Sequence, residues 1–565
     1  MNYIVSDHII TPIAVGTEAN LLAVIEGRTA LALHRGRFPS VEPFFASLFG
    51  ENDVELSAGM SRFESLCVSA VRGALLPEMR DMVSSPETLF ILSSTKGNVE
   101  RLTTGGDPLL PTSARKIAAL FGNTNAPVTV CNACISGVSA LITAQRLLEA
   151  GQYRNVVVVG CDVLSPFIVS GFQSFKALSD ERCRPFDADR RGLNLGEAAA
   201  CVILSSDSRW KDVSLGTIIK GSVHNDANHI SGPSRTGEGS YLCLKDVVGE
   251  ETDKMAFVSL HGTATLYNDE MESIALTRAG MQDVPVNSLK ATFGHTLGAA
   301  GLIETVLSFH ALRKGLVLPV HNYATQGTTY PLNISTECRR TDKREFVKLL
   351  SGFGGCNAAI RISIECDEQS VSFSNMLNSR QDAYVPIAEV HITPESVTLN
   401  TQPLPVAEKG EKLLTSLYRA YVKDYPKFFK MDTLSRLGFI ATELLLSNQS
   451  ANPDPLRTAV VFANRSASLK NDTDYRQTIR EDNYYPSPAL FVYTLPNIVT
   501  GEVAIRHLFR GETSFFVTED ETALETLADT AFAQPEVTDV ICGWVECSEK
   551  DRFEAKLKLL RRHPA

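Results

Sequence analysis

Short apolar runs alternate with longer helix-like segments over the first 366 positions of the chain. Runs such as LFILSS, NVVVVG and CVILSS are strand-like, and the segments between them carry apolar residues at helical spacing. Continuous apolar strands separated by helices are typical of sheets that are covered on both faces. The pattern therefore predicts a layered α/β domain over residues 1–366.

A polar stretch, DEQSVSFSNMLNSRQDAYVP, occupies residues 367–386. It has few large apolar side chains at either core period and ends in proline, so we interpret it as a linker. Beyond it, VHITPESVTLN is typical of a hairpin, residues 411–450 have helical periodicity, and RTAVVFAN is strand-like. We predict a second, smaller α/β domain over residues 387–565.

The second domain is weakly similar to part of the first. The matched pairs are SRFESLCVSAV from Ser61 with SRLGFIATELL from Ser435, LFILSST with AVVFANR, and Ser136-Gly137 with Thr500-Gly501. A shortened internal repeat and chance similarity between two α/β units both account for these matches.

Composition narrows the class of protein. The 565 residues are 44% hydrophobic, enough for two or three domains. A net charge of −11 with mixed signs argues against a nucleic-acid partner. The amino-terminal residues lack a basic region followed by an apolar stretch, and no apolar run reaches about 18 residues, so we expect a cytoplasmic protein without membrane association. The twelve cysteines are scattered, as reduced thiols are.

Cys134 lies where the strand-like PVTV meets a strongly apolar helix-like segment. A thiol at a helix N-terminus faces unpaired N–H groups and the positive end of the dipole, which predicts a lowered pKa and a nucleophilic thiolate. The small residues Ala133 and Gly137 permit a sharp turn. A buried, inert thiol is the alternative. The spacing Cys131-x-x-Cys134 also permits a redox or metal site, although no second CxxC accompanies it.

Two histidines each follow a strand-like run in a glycine-containing turn. His261 lies in SLHGTATLYND and His295 in FGHTLGAAG. A hydrogen-bonded structural role is the alternative for either residue alone. Both are followed by small residues and then by a helix-like segment, which places them at the end of a sheet, where substrates bind.

As a set, these segments resemble the motifs of the β-ketoacyl-acyl carrier protein synthases of the thiolase superfamily. The matching segments are NACISG ending at residue 137, RPFDADRRG at 184–192, HGT at 261–263, KATFGHTLGAAG at 290–301 and GFGGCN at 352–357. The resemblance covers residues 1 to about 366 and implies the thiolase-like αβαβα fold. The family usually carries threonine where Cys356 stands. A thiolase would need a second catalytic cysteine and a different histidine motif, and the synthases that pair histidine with asparagine fit poorly because both histidine motifs are present.

The resemblance implies roles for the central residues. Cys134 would accept an acyl group from a thioester, with the backbone N–H groups of Cys134 and Phe353 as the oxyanion hole. His261 and His295 would stabilise the enolate that forms when a malonyl thioester loses carbon dioxide.

Four further residues are implied to support these groups. Lys290 would orient His295, and Glu304 and Asp269 match supporting positions of the family. Phe353 matches a gate to the acyl pocket, and its flanking glycines, Gly354 among them, would permit the gate to move.

We expect a β-ketoacyl synthase that condenses malonyl and acyl groups in fatty-acid, polyketide or aryl-polyene-like biosynthesis. The alternatives are a thiolase-like acyltransferase that does not decarboxylate and a non-catalytic pairing partner resembling a chain-length factor. No metal or organic cofactor is implied, and the expected partner is an acidic acyl carrier protein loaded with acyl or malonyl groups. The candidate docking residues are Lys176, Arg182, Arg184, Arg190 and Arg191, and a structural role is the alternative for the arginines of RPFDADRR.

The second domain is expected to lack catalysis. Under the repeat, Ile498 or its neighbours match Cys134, and neither histidine motif follows. It loosely resembles the inactive partner subunits of ketosynthases. Our hypothesis is that it docks on the first domain, replacing half of a dimer contact made through NVVVVG, or recruits another protein; a homodimer or a ketosynthase-type pairing is expected.

Overall fold

The computed structural model describes residues 2–365, 384–447, 452–480 and 486–563. The first described stretch forms one unit, and the remaining three form a second unit. Residues 367–383 of the linker prediction lie outside the described residues, and the first strand of the second unit begins at Tyr384.

The first unit contains two large sheets. Its strands are β1 (Tyr3–Ile10), β2 (Ala32–His34), β3 (Phe44–Ser47), β4 (Thr88–Ser93), β5 (Val128–Val130), β6 (Asn155–Asp162), β7 (Leu195–Gly196), β8 (Ala198–Ser205), β9 (Thr217–Asn225), β10 (Met255–Ser259), β11 (Pro285–Asn287), β12 (Leu316–Val317), β13 (Asn333–Ile334), β14 (Arg339–Arg340), β15 (Glu345–Gly352) and β16 (Cys356–Ser363). One sheet has the order β1-β8-β6-β4-β5, and the other has the order β13-β11-β10-β15-β16-β9. Every residue of β4, β6 and β8 is buried, as expected of strands covered on both faces.

Helices form the other layers of this unit. They are α1 (Thr17–Ile25), α2 (Arg62–Ala74), α3 (Arg80–Ser84), α4 (Arg101–Thr104), α5 (Leu110–Leu120), α6 (Ser136–Glu149), α7 (Pro166–Ser174), α8 (Glu238–Val248), α9 (Leu266–Arg278), α10 (Lys290–Phe293) and α11 (Ala300–Arg313). Helices α6 and α11 lie between the sheets, α2 and α5 cover the first sheet, and α8 and α9 lie on the outside of the second. The predicted αβαβα layering is confirmed. Among the described helices, none is both long and apolar enough to span a bilayer.

The second unit is a single sheet with helices. Its elements are β17 (Tyr384–Ile392), β18 (Val397–Leu399), β19 (Gln402–Pro403), α12 (Glu411–Leu417), α13 (Thr433–Leu446), β20 (Thr458–Asn464), α14 (Leu469–Arg476), α15 (Pro488–Val492), α16 (Ile498–His507), β21 (Thr513–Val517), α17 (Leu524–Phe532), β22 (Asp539–Glu549) and β23 (Arg552–Arg562). The strand order is β21-β20-β22-β23-β17, extended by β18 and β19.

This order repeats the first sheet strand by strand. Strands β21, β20, β22, β23 and β17 take the places of β5, β4, β6, β8 and β1, with the same parallel and antiparallel neighbours. The two edge strands β5 and β21 pair antiparallel, with Val130 opposite Phe516, so a single twelve-stranded sheet crosses both units. The second unit is therefore the topological counterpart of the first unit's amino-terminal half.

Two sequence-based expectations are corrected by this topology. The helix that follows β21, and so corresponds to α6, is α17; α16 precedes β21 and corresponds to α5. The residue two positions before α17, as Cys134 is before α6, is Thr522 and not Ile498. The units also join through β5, because the NVVVVG strand β6 lies inside the sheet between β4 and β8.

The interface between the units is a continuous core with buried ion pairs. One hydrophobic cluster includes side chains of both units. Arg146 pairs with Glu512 at 2.7 Å, and Lys96 pairs with Asp472 at 2.9 Å. Since a buried charge is costly when its partner is removed, these pairs favour one arrangement of the two units.

His224 on β9, at the interface between the units, makes the stability of the folded chain depend on pH. Its Nδ1 contacts the carbonyl of Arg510 at 2.6 Å and its Nε2 contacts Asp246 at 2.7 Å, so both ring nitrogens face acceptors. Burial alone would lower the pKa of His224, but hydrogen bonding to Asp246 and the charges of Asp246 and Glu512 raise it above the ordinary 6.5. The charged ring therefore stabilises the folded chain fully below about pH 6.5, and this contribution is lost as the pH rises through the higher folded pKa.

We expect the melting temperature of the wild type to fall more between about pH 6 and about pH 8 than that of His224→Gln. Thermal unfolding at both pH values measures this difference, and Asp246→Asn should flatten the dependence in the same way. Equal pH dependence in the wild type and His224→Gln would show that folding does not raise the pKa of His224.

Candidate active site

Cys134 lies in the single 3-10 turn that joins β5 to α6. The turn covers Ala133–Ile135, and Ala133 has a left-handed φ of 48°. In the first turn of α6, a Cβ on Gly137 would lie 2.8 Å from a backbone nitrogen of α11. Only glycine permits this approach, which brings the cysteine turn against the loop that carries His295.

His295 is the imidazole nearest to the thiol. Its Nε2 lies 3.0 Å from the Cys134 Sγ, and its Nδ1 accepts the backbone N–H of Leu297 at 3.3 Å. Because Nδ1 is an acceptor, the proton of the neutral ring resides on Nε2. His295 therefore presents an N–H donor to the reaction space.

His261 faces the same space from the end of β10. The two imidazole centroids are 5.1 Å apart with the rings nearly perpendicular. Glu272 holds the loop by accepting the backbone N–H groups of His261 and Gly262 at 2.6 and 2.8 Å. The buried Nδ1 of His261 has no partner among the described residues. The three predicted catalytic side chains are thus brought together at one point.

Both imidazoles are held in the neutral form. Burial is the main cause that lowers the pKa of each ring well below 6.5, and the positive charge of Lys290 lowers it further. Neutral rings are hydrogen-bond donors that gain most when negative charge develops on a substrate.

Behind the histidines, one carboxylate binds two lysines. Glu304 contacts the Nζ atoms of Lys290 and Lys348 at 2.6 Å each, and Lys348 also donates to the carbonyl of Leu260 at 2.9 Å. Lys348 is fully buried, and burial lowers its pKa to about 8. This network connects the segment before His261 to the helix before His295.

Sequence reasoning did not identify Lys348. It lies in the apolar strand β15, where a single lysine among buried positions was the available signal. Glu272, eleven residues after His261, was missed as well, because its role is to hold backbone groups of the preceding turn.

The predicted low pKa of Cys134 is wrong for the ligand-free site. Burial raises the pKa of the thiol to about 12, and the charge of Lys290 opposes this only in part. The apolar surroundings therefore outweigh the helix N-terminus. The resting nucleophile is a neutral thiol that accepts the N–H of His295.

The loop between β15 and β16, here called the gate loop (residues 352–356), lies against the cysteine turn. A Cβ on Gly352 would lie 3.3 Å from the backbone nitrogen of Cys134. Gly354 and Gly355 have φ values of 93° and 72°, which suit glycine alone. The gate loop therefore lies directly beside the backbone of Cys134.

A cavity of about 400 Å³ opens at this point. Cys134, His261 and His295 lie in its wall together with Phe172 and Phe353. Its surface combines three reactive groups with an aromatic pocket, which suits a thioester that carries an apolar acyl chain.

Two predicted residues lie outside this cavity and support it. Asp269 accepts the backbone N–H groups of Phe186 and Ala264 at 2.6 and 3.2 Å, and its role is to hold two loops together. Arg190 is 7% exposed and donates to the carbonyl of Gly327, so the prediction that it belongs to a docking surface is wrong.

The cavity wall also contains the donor set that could hold a metal ion. The donor atoms of Cys134, His261 and His295 lie within 4.8 Å of one another, and sulfur with two imidazoles is a set that zinc accepts. Lys290 and Lys348 add positive charge beside it, which disfavours a cation. Cys131 does not join this set, and its thiol contacts the carbonyl of Thr95 instead.

Cys356 is buried at the end of the gate loop and is placed differently from Cys134. Its buried thiol faces the carbonyl of Phe353 at 3.3 Å and is absent from the wall of the cavity as described. Burial raises its pKa. The geometry thus gives no support to the thiolase alternative.

Sequence comparison agrees with this geometry. Residues 87–209 match the family described as beta-ketoacyl synthase, N-terminal domain, and residues 215–324 match beta-ketoacyl synthase, C-terminal domain. Residues 87–324 thus match both domains of the β-ketoacyl synthase family. Both matches fall inside the first unit, which holds all three reactive side chains.

Curated relatives from this family match the first unit in part. The 3-oxoacyl-[acyl-carrier-protein] synthase 2 of Rhizobium meliloti is 32% identical over 254 residues, 41% of this chain and 59% of the relative. A putative mitochondrial 3-oxoacyl-[acyl-carrier-protein] synthase of Schizosaccharomyces pombe is 29% identical over 280 residues, 45% and 65% of the two chains. The chain thus spans less than two thirds of the length of these relatives.

Solved structures show the same fold. A ketosynthase in complex with its chain length factor from Xenorhabdus doucetiae has a TM-score of 0.57 at 23% identity, covering 64% of this chain and 97% of that chain. A protein described as PfaC keto synthase-chain length factor has a TM-score of 0.78 at 14% identity, covering 99% of this chain and 78% of that chain. The second similarity extends the shared fold to both units.

Proposed function

We propose that this chain is a β-ketoacyl-acyl carrier protein synthase that joins a malonyl-derived unit to a Cys134-bound acyl group by decarboxylative Claisen condensation. The observation that carries the proposal is the convergence of the Cys134 Sγ, 3.0 Å from His295 Nε2, with the His261 ring in one aromatic-walled cavity. The pathway is of the fatty-acid, polyketide or aryl-polyene type.

In the first half-reaction, the sulfur of Cys134 attacks the carbonyl of an acyl thioester. The backbone N–H groups of Cys134 and Phe353 stabilise the tetrahedral oxyanion. The bond to the carrier thiol breaks, and the proton of Cys134 ends on that departing thiol. Because the resting thiol is neutral, proton loss accompanies attack.

In the second half-reaction, a malonyl thioester loses carbon dioxide and leaves an enolate. His261 and His295 donate hydrogen bonds to its oxygen, each contributing about 3 kcal/mol by analogy with other oxyanion holes. The enolate carbon attacks the acyl group, the bond to Cys134 breaks, and the released Cys134 thiolate takes a proton from water. The product is a 3-oxoacyl thioester two carbons longer than the acyl donor.

The carrier protein is proposed to approach the mouth of the cavity. Lys176 and Arg191 are exposed and lie at the wall of that cavity, with exposed Arg182 and half-buried Arg184 nearby in sequence. An acidic carrier matches this local positive charge despite the chain's net charge of −11.

The second unit is proposed to act as a built-in pairing partner. It occupies the β5 edge that would otherwise be open, and it has no equivalent of Cys134. We propose that this internal pairing replaces a homodimer formed through that edge. The free cysteines of the described residues support the proposed cytoplasmic location.

A reconstituted condensation tests the function. The purified chain is incubated with acyl-loaded and malonyl-loaded carrier proteins, and products are identified by mass. We expect a 3-oxoacyl carrier product only when the malonyl donor is present.

Two other outcomes favour the alternatives. Condensation of two acyl donors without malonyl would identify a thiolase-like acyltransferase. No product and no labelling of Cys134 by a thiol-reactive ketosynthase inhibitor would identify a non-catalytic pairing protein.

A further inference from the structure

The second unit reaches the gate loop through one side chain. Asn497, the residue before α16, is 2% exposed, and its Nδ2 donates to the carbonyl of Phe353 at 2.7 Å. The same nitrogen lies 3.7 Å from the Sγ of Cys356. The first turn of α16 therefore lies directly on the loop next to Cys134.

The approach of α16 to the gate loop is as close as backbones allow. A Cβ on Gly501 would lie 2.5 Å from the carbonyl oxygen of Gly354, and a Cβ on Gly354 would lie 2.6 Å from the Nδ2 of Asn497. Both positions are glycine, which permits this contact.

The peptide group between Phe353 and Gly354 is fixed at both of its polar atoms. Its oxygen accepts the Asn497 amide, and its N–H donates to the carbonyl of Ile230 at 2.6 Å. The glycines on the carboxyl side of Phe353 impose little restraint of their own. The orientation of this peptide therefore depends on these two hydrogen bonds and on the contact of the Cys356 Sγ with the same oxygen at 3.3 Å.

The phenyl ring of Phe353 packs against two rings of the first unit, which in turn pack against a ring of the second unit. Its centroid lies 5.8 Å from that of Phe175 and 6.5 Å from that of Phe172. Phe491 of the second unit lies 5.6 Å from Phe172 and 5.9 Å from Phe175. The second unit thus contacts both the backbone and the ring environment of the gate.

We infer that Asn497 is a positioning residue for acyl transfer, by which the non-catalytic unit sets the gate loop beside Cys134. The inference rests on the proposed function, because it assigns the second unit a part in the acylation step. His261 and His295 lie on other loops, so the decarboxylation step does not depend on this contact.

The test compares two rates in each protein. One is the acylation of Cys134 by a long-chain acyl carrier, followed by intact mass, and the other is the release of carbon dioxide from malonyl carrier. For Asn497→Ala we expect acylation to fall about tenfold, the effect of one lost hydrogen bond to a buried carbonyl, while decarboxylation changes less than about twofold.

Asn497→Ser is the milder variant, since serine still suits a helix N-terminus but its hydroxyl is too short to reach the same carbonyl. Arg115→Ala is the matched control, because it breaks an ion pair of 2.6 Å with Glu519 between the units without touching the gate loop. We expect the ratio of the acylation rate to the decarboxylation rate to fall in both Asn497 variants and to be unchanged in the Arg115→Ala control.

An unchanged ratio in Asn497→Ser, or an equal fall of the ratio in Arg115→Ala, overturns the inference. Failure of the wild type to become acylated at Cys134 instead overturns the proposed function. The two failures are therefore distinguishable in one set of proteins.

Discussion

Cys134→Ala is expected to abolish acyl transfer to the protein, with a loss of at least about 10³-fold in condensation. The sulfur is the one nucleophile placed between the gate loop and His295, so no neighbouring group among the described residues replaces it. Intact mass after incubation with an acyl carrier measures the loss, and the wild type should gain one acyl group on the peptide that contains Cys134.

Malonyl decarboxylation should persist in Cys134→Ala, because His261 and His295 remain. Cys356→Ala provides the thiol control and should still gain one acyl group at Cys134, at a lower rate, because its thiol contacts the Phe353 carbonyl that Asn497 also binds. An acyl group on Cys134→Ala, or its loss in Cys356→Ala, would move the nucleophile to another residue.

The motifs were sufficient to predict which three side chains meet, but not the protonation state of the Cys134 thiol. A helix N-terminus favours a thiolate, and that local rule is visible in sequence. The desolvation that raises the pKa of Cys134 to about 12 depends on distant elements packed around the turn. Those contacts are not visible in the local sequence, so the predicted direction of the Cys134 pKa shift was wrong.

Lys348 shows a similar limit. Its partner Glu304 lies on α11, between the two sheets, and the sequence does not indicate that β15 places a lysine beneath that helix. Lys290 pairs with Glu304, and its role in orienting His295 stays a prediction. The second lysine adds a contact to the loop before His261 that the motifs do not contain.

The sequence left a shortened repeat and chance similarity open for the second unit, and two of the three segment matches agree with the strand order. The third match, Ser136-Gly137 with Thr500-Gly501, was wrong because small residues occur near the start of more than one helix in this fold. Only the order of strands distinguishes the helix before the edge strand from the helix after it. The error hid Asn497, since α16 was aligned with the nucleophile helix rather than with α5.

His295→Ala is expected to reduce malonyl decarboxylation by about 10²- to 10³-fold, the effect of removing one donor from an oxyanion site. Its Nε2–H is fixed by the hydrogen bond from Leu297 to Nδ1, so the donor is preorganised where enolate charge develops. Acylation of Cys134 should fall far less, because the backbone oxyanion hole does not use this ring.

Carbon dioxide release and intact mass measure the two steps separately. His310→Ala is the matched control, since His310 on α11 pairs with Asp7 on β1, away from the cavity. Equal loss of both steps in His295→Ala, with a lowered melting temperature, would instead assign the ring a structural role.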